Sequence, residues 1–354
     1  AMHFVSLDEN AAPYGVAGNR HQPEIAQELG VDGVIQGSAT YVGDSVGVEL
    51  TLVDPDTRSD RVFALRWTPE FGAAPDAIVT TWDGADATYA LAMLAPPLAG
   101  ALEPQAREVV FVIDTSGSMK GDSLRQAAAA LHQGLDFLDE TDWFNLVEFN
   151  SEAQLLFEES LPATPINRGR ADRFIAFLNE TAGTEMQPAL DLAMGLPPRD
   201  ELRQIVFITD GSVGYEDDMF SLIEEKLGSA RLFTVGIGSA PNSWFMRKAA
   251  EAGRGSYTFV SALHEVSEKM EALFAKLESP QVTDIAVQWP SGVVIESYPS
   301  VVPDLYLGEP VIVRARASGP FRPDDAVRIS GNSLTGAWTA DVPLTGPVRS
   351  EGVA

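Results

Sequence analysis

The sequence predicts an α/β protein whose doubly wound, mostly parallel sheet is inserted in, or flanked by, an all-β sandwich-like domain. Three observations predict it. Between residues 108 and 278 apolar strand runs alternate with amphipathic helix patterns, and strands separated by helices of that length need crossover connections. On either side of this stretch the rhythm changes to short strands and turns. At 354 residues, the chain is also too long for one core of ordinary size.

The elements follow in order. Glu24–Leu29 reads as a short helix ended by Gly30 at a C-cap position. Val34–Val42 and Val46–Val53 read as a hairpin joined by Gly43-Asp44, and Arg61–Trp67 and Thr88–Met93 continue the strand pattern. Pro96-Pro97-Leu98-Ala99-Gly100 reads as a linker. Val109–Ile113 is an unbroken apolar run, as a central parallel strand covered on both faces requires. Ser123 and Gln126 have capping-box spacing, and Leu124, Ala127, Leu131, Leu135 and Leu138 form one apolar stripe behind them. Phe144–Phe149, Gln204–Thr209, Arg231–Val235 and Ser256–Val260 are the next strands. Helix patterns over Arg170–Leu178, Gln187–Met194, Asp218–Leu227, Ser243–Ala252 and Leu263–Leu277 alternate with them. The end of the chain returns to strands over Val282–Trp289, Val293–Tyr298, Tyr306–Ala317, Val327–Ser330 and Trp338–Val342. Five short strands make a thin core alone, so the first and last regions are expected to share one sandwich.

Composition narrows the function. A formal charge of −27 disfavours binding to a phosphate backbone, which needs clustered Lys and Arg, so no nucleic-acid partner is expected. With no cysteine, disulfides, thiolate metal sites and cysteine nucleophiles are ruled out. No apolar run reaches the roughly 18 residues of a membrane span, so no direct insertion is expected. Ala1-Met2-His3-Phe4 lacks a basic stretch before an apolar core, so no signal peptide is expected in this chain.

The chemistry concentrates after the first central strand. Asp114-Thr115-Ser116-Gly117-Ser118 sets a carboxylate and two hydroxyls at alternate residues near a helix start. Open α/β sheets bind ligands outside the carboxyl ends of their strands, where this segment falls. Asp210 ends the strand Ile205–Thr209, and Thr184 follows Gly183 in a loop before a helix. Asp114, Ser116, Ser118, Thr184 and Asp210 offer only oxygen. That suits a hard cation such as Mg²⁺, with Mn²⁺ or Ca²⁺ as alternatives.

Competing motifs fail on spacing. A calcium EF-hand needs Gly and Glu where Met119 and Arg125 stand, and a Ser-x-x-Lys site needs a serine where Gly117 stands. His3, His21, His132 and His264 lie beside no plausible Ser nucleophile, so no catalytic residue is expected. Glu185 and Asp217 flank the metal loops as solvated side chains. Trp244, Phe245 and Met246 read as core packing.

This set resembles the metal-ion-dependent adhesion site of von Willebrand A domains: Asp-x-Ser-x-Ser, a distant Thr, and an Asp in a Thr-Asp-Gly turn. The resemblance implies that Ser116, Ser118 and Thr184 touch the metal. Asp114 and Asp210 would act through bound water or by orienting those ligands. Phe233–Asn242 with Phe245-Met246, Asp304–Pro310 and the Asp60–Trp67 strand are similar to bacterial relatives of inter-α-trypsin inhibitor heavy chains. Among these, the marine proteobacterial sortase target proteins, which join a VIT domain to a von Willebrand A domain, are most alike. In this reading residues 1–57 are a small α/β or β segment, and Glu24–Pro55 resembles a module found near TolB-like proteins. Residues 58–107 are a VIT-like β region, 108–278 the von Willebrand A domain, and 279–354 a C-terminal β region packing with the N-terminal strands.

The expected function is metal-dependent protein binding or adhesion at a cell surface, or in an extracellular or periplasmic space, with no enzyme activity. The partner would offer an Asp or Glu carboxylate. An intracellular metal-dependent scaffold is the alternative, and a metallohydrolase the more distant one, because no general base stands near the site.

Overall fold

In a computed structural model, the described residues are the strand backbones at 4–7, 33–42, 45–54 and 59–67, then 75–83, 87–96, 106–210, 216–238, 241–278, 280–306, 310–333 and 336–344. The chain divides into two compact units, Ala1–Phe71 and Gly72–Ala354. In the first, β1 (Phe4–Leu7) runs parallel to β2 (Gly33–Val42). Antiparallel β3 (Ser45–Asp54) and β4 (Ser59–Trp67) follow in spatial order. Val42 pairs with Ser45, so β2 and β3 form the expected hairpin; Gly43-Asp44, expected to join them, lies outside the described residues. The helix expected over Glu24–Leu29 lies outside the described residues.

The second unit opens with a hairpin of β5 (Asp76–Asp83) and β6 (Thr88–Ala95). The chain then alternates through β7 (Arg107–Asp114), α1 (Asp122–Asp136), β8 (Trp143–Phe149), β9 (Ala153–Leu155), β10 (Leu161–Pro162), α2 (Pro165–Ala176) and α3 (Met186–Met194). It continues through β11 (Leu202–Thr209), α4 (Glu216–Lys226), β12 (Arg231–Ile237), α5 (Ser243–Ala252), β13 (Arg254–Val260) and α6 (Val266–Glu278). Its sheet has the order β10-β8-β7-β11-β12-β13, with β9 also beside β8. Strands β8, β7, β11, β12 and β13 are parallel, whereas β9 and β10 are antiparallel additions at one edge. The chain leaves β7 for β8 on one side and returns to β11 on the other. That reversal opens a crevice at the carboxyl ends of β7 and β11.

Burial explains the unbroken apolar strands. Val109, Phe111 and Ile113 of β7 face one core with α1, α2 and α6, while Val110 and Val112 face a second core with α3, α4 and α5. Each such side chain contributes about 1.5–3 kcal/mol when fully withdrawn from water. Gly134 on α1 lets the Phe111 ring approach so closely that a Cβ there would lie 2.6 Å from it. The start of α1 differs from the expected capping box. Its N-cap is Gly121, with φ 89° and no side-chain cap, so Ser123 lies inside the helix. Gln126 is buried and accepts from the Gly238 backbone N–H at 3.2 Å, so it ties α1 to the end of β12 instead of closing a cap.

After α6 the chain forms β14 (Pro280–Gln288), β15 (Ile295–Tyr298), β16 (Leu305–Tyr306), β17 (Val311–Ala317), β18 (Ala326–Ser333) and β19 (Gly336–Pro343). The strand expected over Tyr306–Ala317 is two strands in different sheets. Pro310, which has no N–H to give a ladder, stands just before the second. One sheet has the order β16-β14-β18-β19, and the other β15-β17-β6-β5. The two share a core in which Val79, Ala92 and Leu94 meet Val313, Val282, Val327 and Ile329. The α/β domain is thus inserted into a sandwich to which the preceding chain gives only the β5–β6 hairpin; β2, β3 and β4, expected in the same sandwich, pair with one another in a separate sheet. Because β17 pairs along its whole length with β6, from Val311–Leu94 to Ala317–Thr88, residues 280–344 expressed alone should show no cooperative thermal transition. A sharp transition from that fragment would show the β5–β6 hairpin to be dispensable.

Candidate metal centre

Four of the five expected residues, Asp114, Ser116, Ser118 and Asp210, gather at the carboxyl ends of β7 and β11, at the point where the strand order reverses. Asp114 ends β7 and is fully buried. Its Oδ1 accepts from the Ser116 backbone N–H at 2.8 Å, and its Oδ2 from the Thr209 hydroxyl at 2.6 Å. These bonds turn the chain so that Ser116, also fully buried, brings its Oγ within 3.0 Å of the exposed Ser118 Oγ. Gly117–Met119 forms a single 3-10 turn that sets this approach. Asp210 follows β11 and is half-buried. Its carbonyl accepts from the Asn242 N–H at 3.2 Å, which ties the start of α5 to the same rim.

Thr184 lies in an exposed loop held at both ends. Ser116 and Thr181 form a parallel bridge, with the Thr181 N–H donating to the Thr115 carbonyl at 2.9 Å. On the far side the Glu185 N–H donates to the Asn150 carbonyl at 2.6 Å. The loop is thereby carried over the ends of β7 and β8, beside the serines.

Burial pushes the Asp114 carboxyl above the usual range, against the hydrogen bonds from Ser116 and Thr209, and the nearby Asp210 carboxylate adds to the rise. Two carboxylates close enough to repel, one without solvent, make a place where a cation would be welcome. The donor set fits one. Adjacent ligands of an octahedral ion held at about 2.0–2.1 Å lie about 2.8–3.0 Å apart, the separation of the two serine hydroxyls. Among the described residues, no group of three or more His, Cys, Asp and Glu side chains is gathered for a metal. A cation here would therefore rest on hydroxyls, with the two carboxylates behind them.

Sequence reasoning passed over two contributors. Thr209, at the end of β11, holds the second Asp114 oxygen. The fully buried Thr115 has its hydroxyl 3.0 Å from Glu148 Oε1. The signal for Glu148 is that it is the one acid in β8, where Asn145 is the only other strongly polar side chain. His132 pairs with Asp172 at 3.0 Å on exposed helix surfaces, and His264 lies in a 3-10 turn. His3 and His21 lie outside the described residues, as does the Asp217 side chain, while Glu185 is exposed. Phe245 and Met246 are buried as expected of core residues, but Trp244 is 47% exposed. It stacks edge-on against Phe220 at 5.8 Å, so it packs at the surface and not in the core.

Residues 107–259 match a family model described as von Willebrand factor type A domain. A von Willebrand factor A domain-containing protein of Dictyostelium discoideum is 27% identical over 245 residues, 68% of this chain and 29% of that protein. Inter-alpha-trypsin inhibitor heavy chain H2 of Sus scrofa is 23% identical over 257 residues, 69% of this chain and 27% of its own. The chain spans less than a third of the length of these relatives. Among solved structures, a von Willebrand factor type A protein from Catenulispora acidiphila superposes with a TM-score of 0.62 at 17% identity, covering 78% of this chain and 74% of the other. The ArnB paralog VWA2 from Sulfolobus acidocaldarius gives 0.53 at 15% identity, covering 77% and 76%. At these identities the superpositions speak for the fold.

Proposed function

We propose that this chain, a von Willebrand factor type A domain protein homologous to inter-alpha-trypsin inhibitor heavy chains, binds a partner protein through a divalent cation held at the ends of β7 and β11. The observation that carries the reading is the pair of serine hydroxyls 3.0 Å apart in front of a buried carboxylate. Ser116, Ser118 and Thr184 would hold Mg²⁺, Mn²⁺ or Ca²⁺ directly, with Asp114 and Asp210 orienting them or acting through water. When bound, the cation supplies a positive charge that few anionic ligands offset, and an Asp or Glu of the partner is the group that answers it.

Binding fits the site better than catalysis. Both Asp114 oxygens accept hydrogen bonds from the chain's own Ser116 and Thr209. Glu148 accepts from Gln154 at 2.8 Å and faces the Thr115 hydroxyl. These acids are engaged in holding loops and are poorly placed to take a proton from water. Among the described residues no helix is long and apolar enough to cross a membrane. The same reading places the protein at a cell surface or outside the cell, in the manner of VIT-bearing sortase targets. A secretory leader and a sorting motif in the complete reading frame are the marks of that placement.

Calorimetric titration with Mg²⁺ tests the site. The wild type should bind one ion, and Ser118→Ala or Thr184→Ala should weaken binding by about tenfold or more, with unchanged circular dichroism. Undiminished affinity in both variants would remove the hydroxyl set from the metal. A partner bound through the site should be released by EDTA and recovered with Mg²⁺. With a chain charge of −27, attraction to an acidic partner must be local to the ion.

A further inference from the structure

We infer that Asn150 is a positioning residue for Thr184, acting through a seat on which the Thr184 loop rests; the inference relies on the metal reading above. Asn150 directly follows β8 and is not one of the five expected ligands. Its side chain instead builds the turn beneath the loop. Oδ1 accepts from the Glu152 N–H at 3.3 Å and from the Ser151 hydroxyl at 3.4 Å, closing Asn150–Glu152 into a compact turn. Nδ2 donates to the Thr115 hydroxyl at 3.0 Å, fixing that turn to the residue after Asp114. The Asn150 backbone N–H donates to the Glu152 carbonyl at 2.9 Å, and its carbonyl accepts from Glu185 at 2.6 Å.

The loop meets this turn at Gly183. Its φ of +93° suits glycine, and a Cβ there would lie 2.6 Å from the Ser151 Cα and 2.8 Å from the Ser151 nitrogen. Backbone cannot move aside as a flexible side-chain tip can, so the loop lies flush on the turn only because residue 183 lacks a side chain. Thr184 is then bracketed by Gly183 pressed on Ser151 and by Glu185 bonded to Asn150. On the other side Thr181 bonds to Thr115, to which Asn150 is also joined. One residue therefore organises both flanks of a three-residue span: its carbonyl holds Glu185, and its side chain fixes the turn that carries this carbonyl to Thr115. Chain segments of this kind, exposed and without secondary structure, lose position readily when a pin is removed. A ligand that drifts by a fraction of an ångström loses much of its contribution to a rigid octahedral ion.

The test uses the full chain with Mg²⁺ alone as probe. Asn150→Ala should weaken Mg²⁺ binding about tenfold or more while the metal-free melting temperature shifts little. In a Thr184→Ala background the same substitution should change affinity by less than about twofold, because a residue that acts through Thr184 has nothing left to position. Gly183→Ala, which disturbs the seat from the loop side, should show the same loss and the same disappearance. It also serves if Asn150→Ala fails to fold. Equal losses in both backgrounds, or no loss in either, would overturn the assignment. If the wild type binds no Mg²⁺, or Thr184→Ala alone has no effect, the metal reading has failed, and the role of Asn150 falls with it.

Discussion

Asp114→Asn should reduce Mg²⁺ affinity by a hundredfold or more, about 2.8 kcal/mol or above at 1.4 kcal/mol per factor of ten, while leaving the metal-free fold intact. Asn keeps the shape and one acceptor for Ser116 or Thr209, so the loop survives. What disappears is the buried negative charge that faces Asp210. The same substitution carries a pH signature in the metal-free protein. The Asp114 carboxyl sits above its ordinary range because of burial, with Asp210 adding to the rise. A carboxyl that binds its proton more tightly when folded favours the folded state while protonated and weakens it once ionised. Wild-type stability should therefore fall as pH rises through the window between the ordinary carboxyl range and the raised Asp114 value. The Asn variant should lack that fall. Thermal melts in EDTA across this window, with Mg²⁺ calorimetry at neutral pH, check both parts. Wild-type-like Mg²⁺ affinity in Asp114→Asn would remove Asp114 from the site.

Arg231→Ala is expected to give the largest loss of stability, about 3–5 kcal/mol. Arg231 opens β12 at the end of the sheet opposite the candidate site, and it is among the largest fully buried side chains. Its guanidinium forms a fork with the buried Asp304, one arm at 3.1 Å, and also reaches Asp284 at 3.0 Å. Asp304 precedes β16 and Asp284 lies on β14, so the fork fastens the α/β domain to the inserted-into sandwich. Truncating Arg231 leaves Asp304 as a buried charge without its ion-pair partner, held only by the Asp284 backbone N–H at 3.2 Å, and that desolvation accounts for most of the loss. Arg231→Met combined with Asp304→Leu should recover much of it, since both charges then leave together. Urea unfolding of the single and double variants decides the matter. A single variant within about 1 kcal/mol of wild type would mean that solvent reaches Asp304.

Much of this was legible without coordinates, for reasons particular residues make plain. Val109–Ile113 has no polar interruption because both of its faces are covered, and only the centre of a layered sheet covers both. Asp114, Ser116 and Ser118 stand out as candidates because a carboxylate and two hydroxyls at alternate residues directly follow such a strand, and Thr184 and Asp210 complete an all-oxygen set. The structure departs from the local pattern where local and distant partners compete. Ser123 and Gln126 have the spacing of a cap, yet Gln126 is taken by Gly238, far away in the chain. Trp244 shares its helix turn with two core residues, but the helix's rotation leaves it at the surface.

The sequence by itself determined the periodicities, the order of the elements and the oxygen chemistry of the Asp114–Ser118 segment, since each depends on residues within a few positions of one another. The tertiary structure alone decided which donors lie side by side. It brought Thr209 to Asp114, Asn150 to Thr115, β6 to β17 and Arg231 to Asp304. Those partners are separated by 35 to more than 200 residues, and their pairing is chosen by the packing of two cores. No local pattern records it, because burial sums over the whole fold while hydrogen-bond propensity acts at short range.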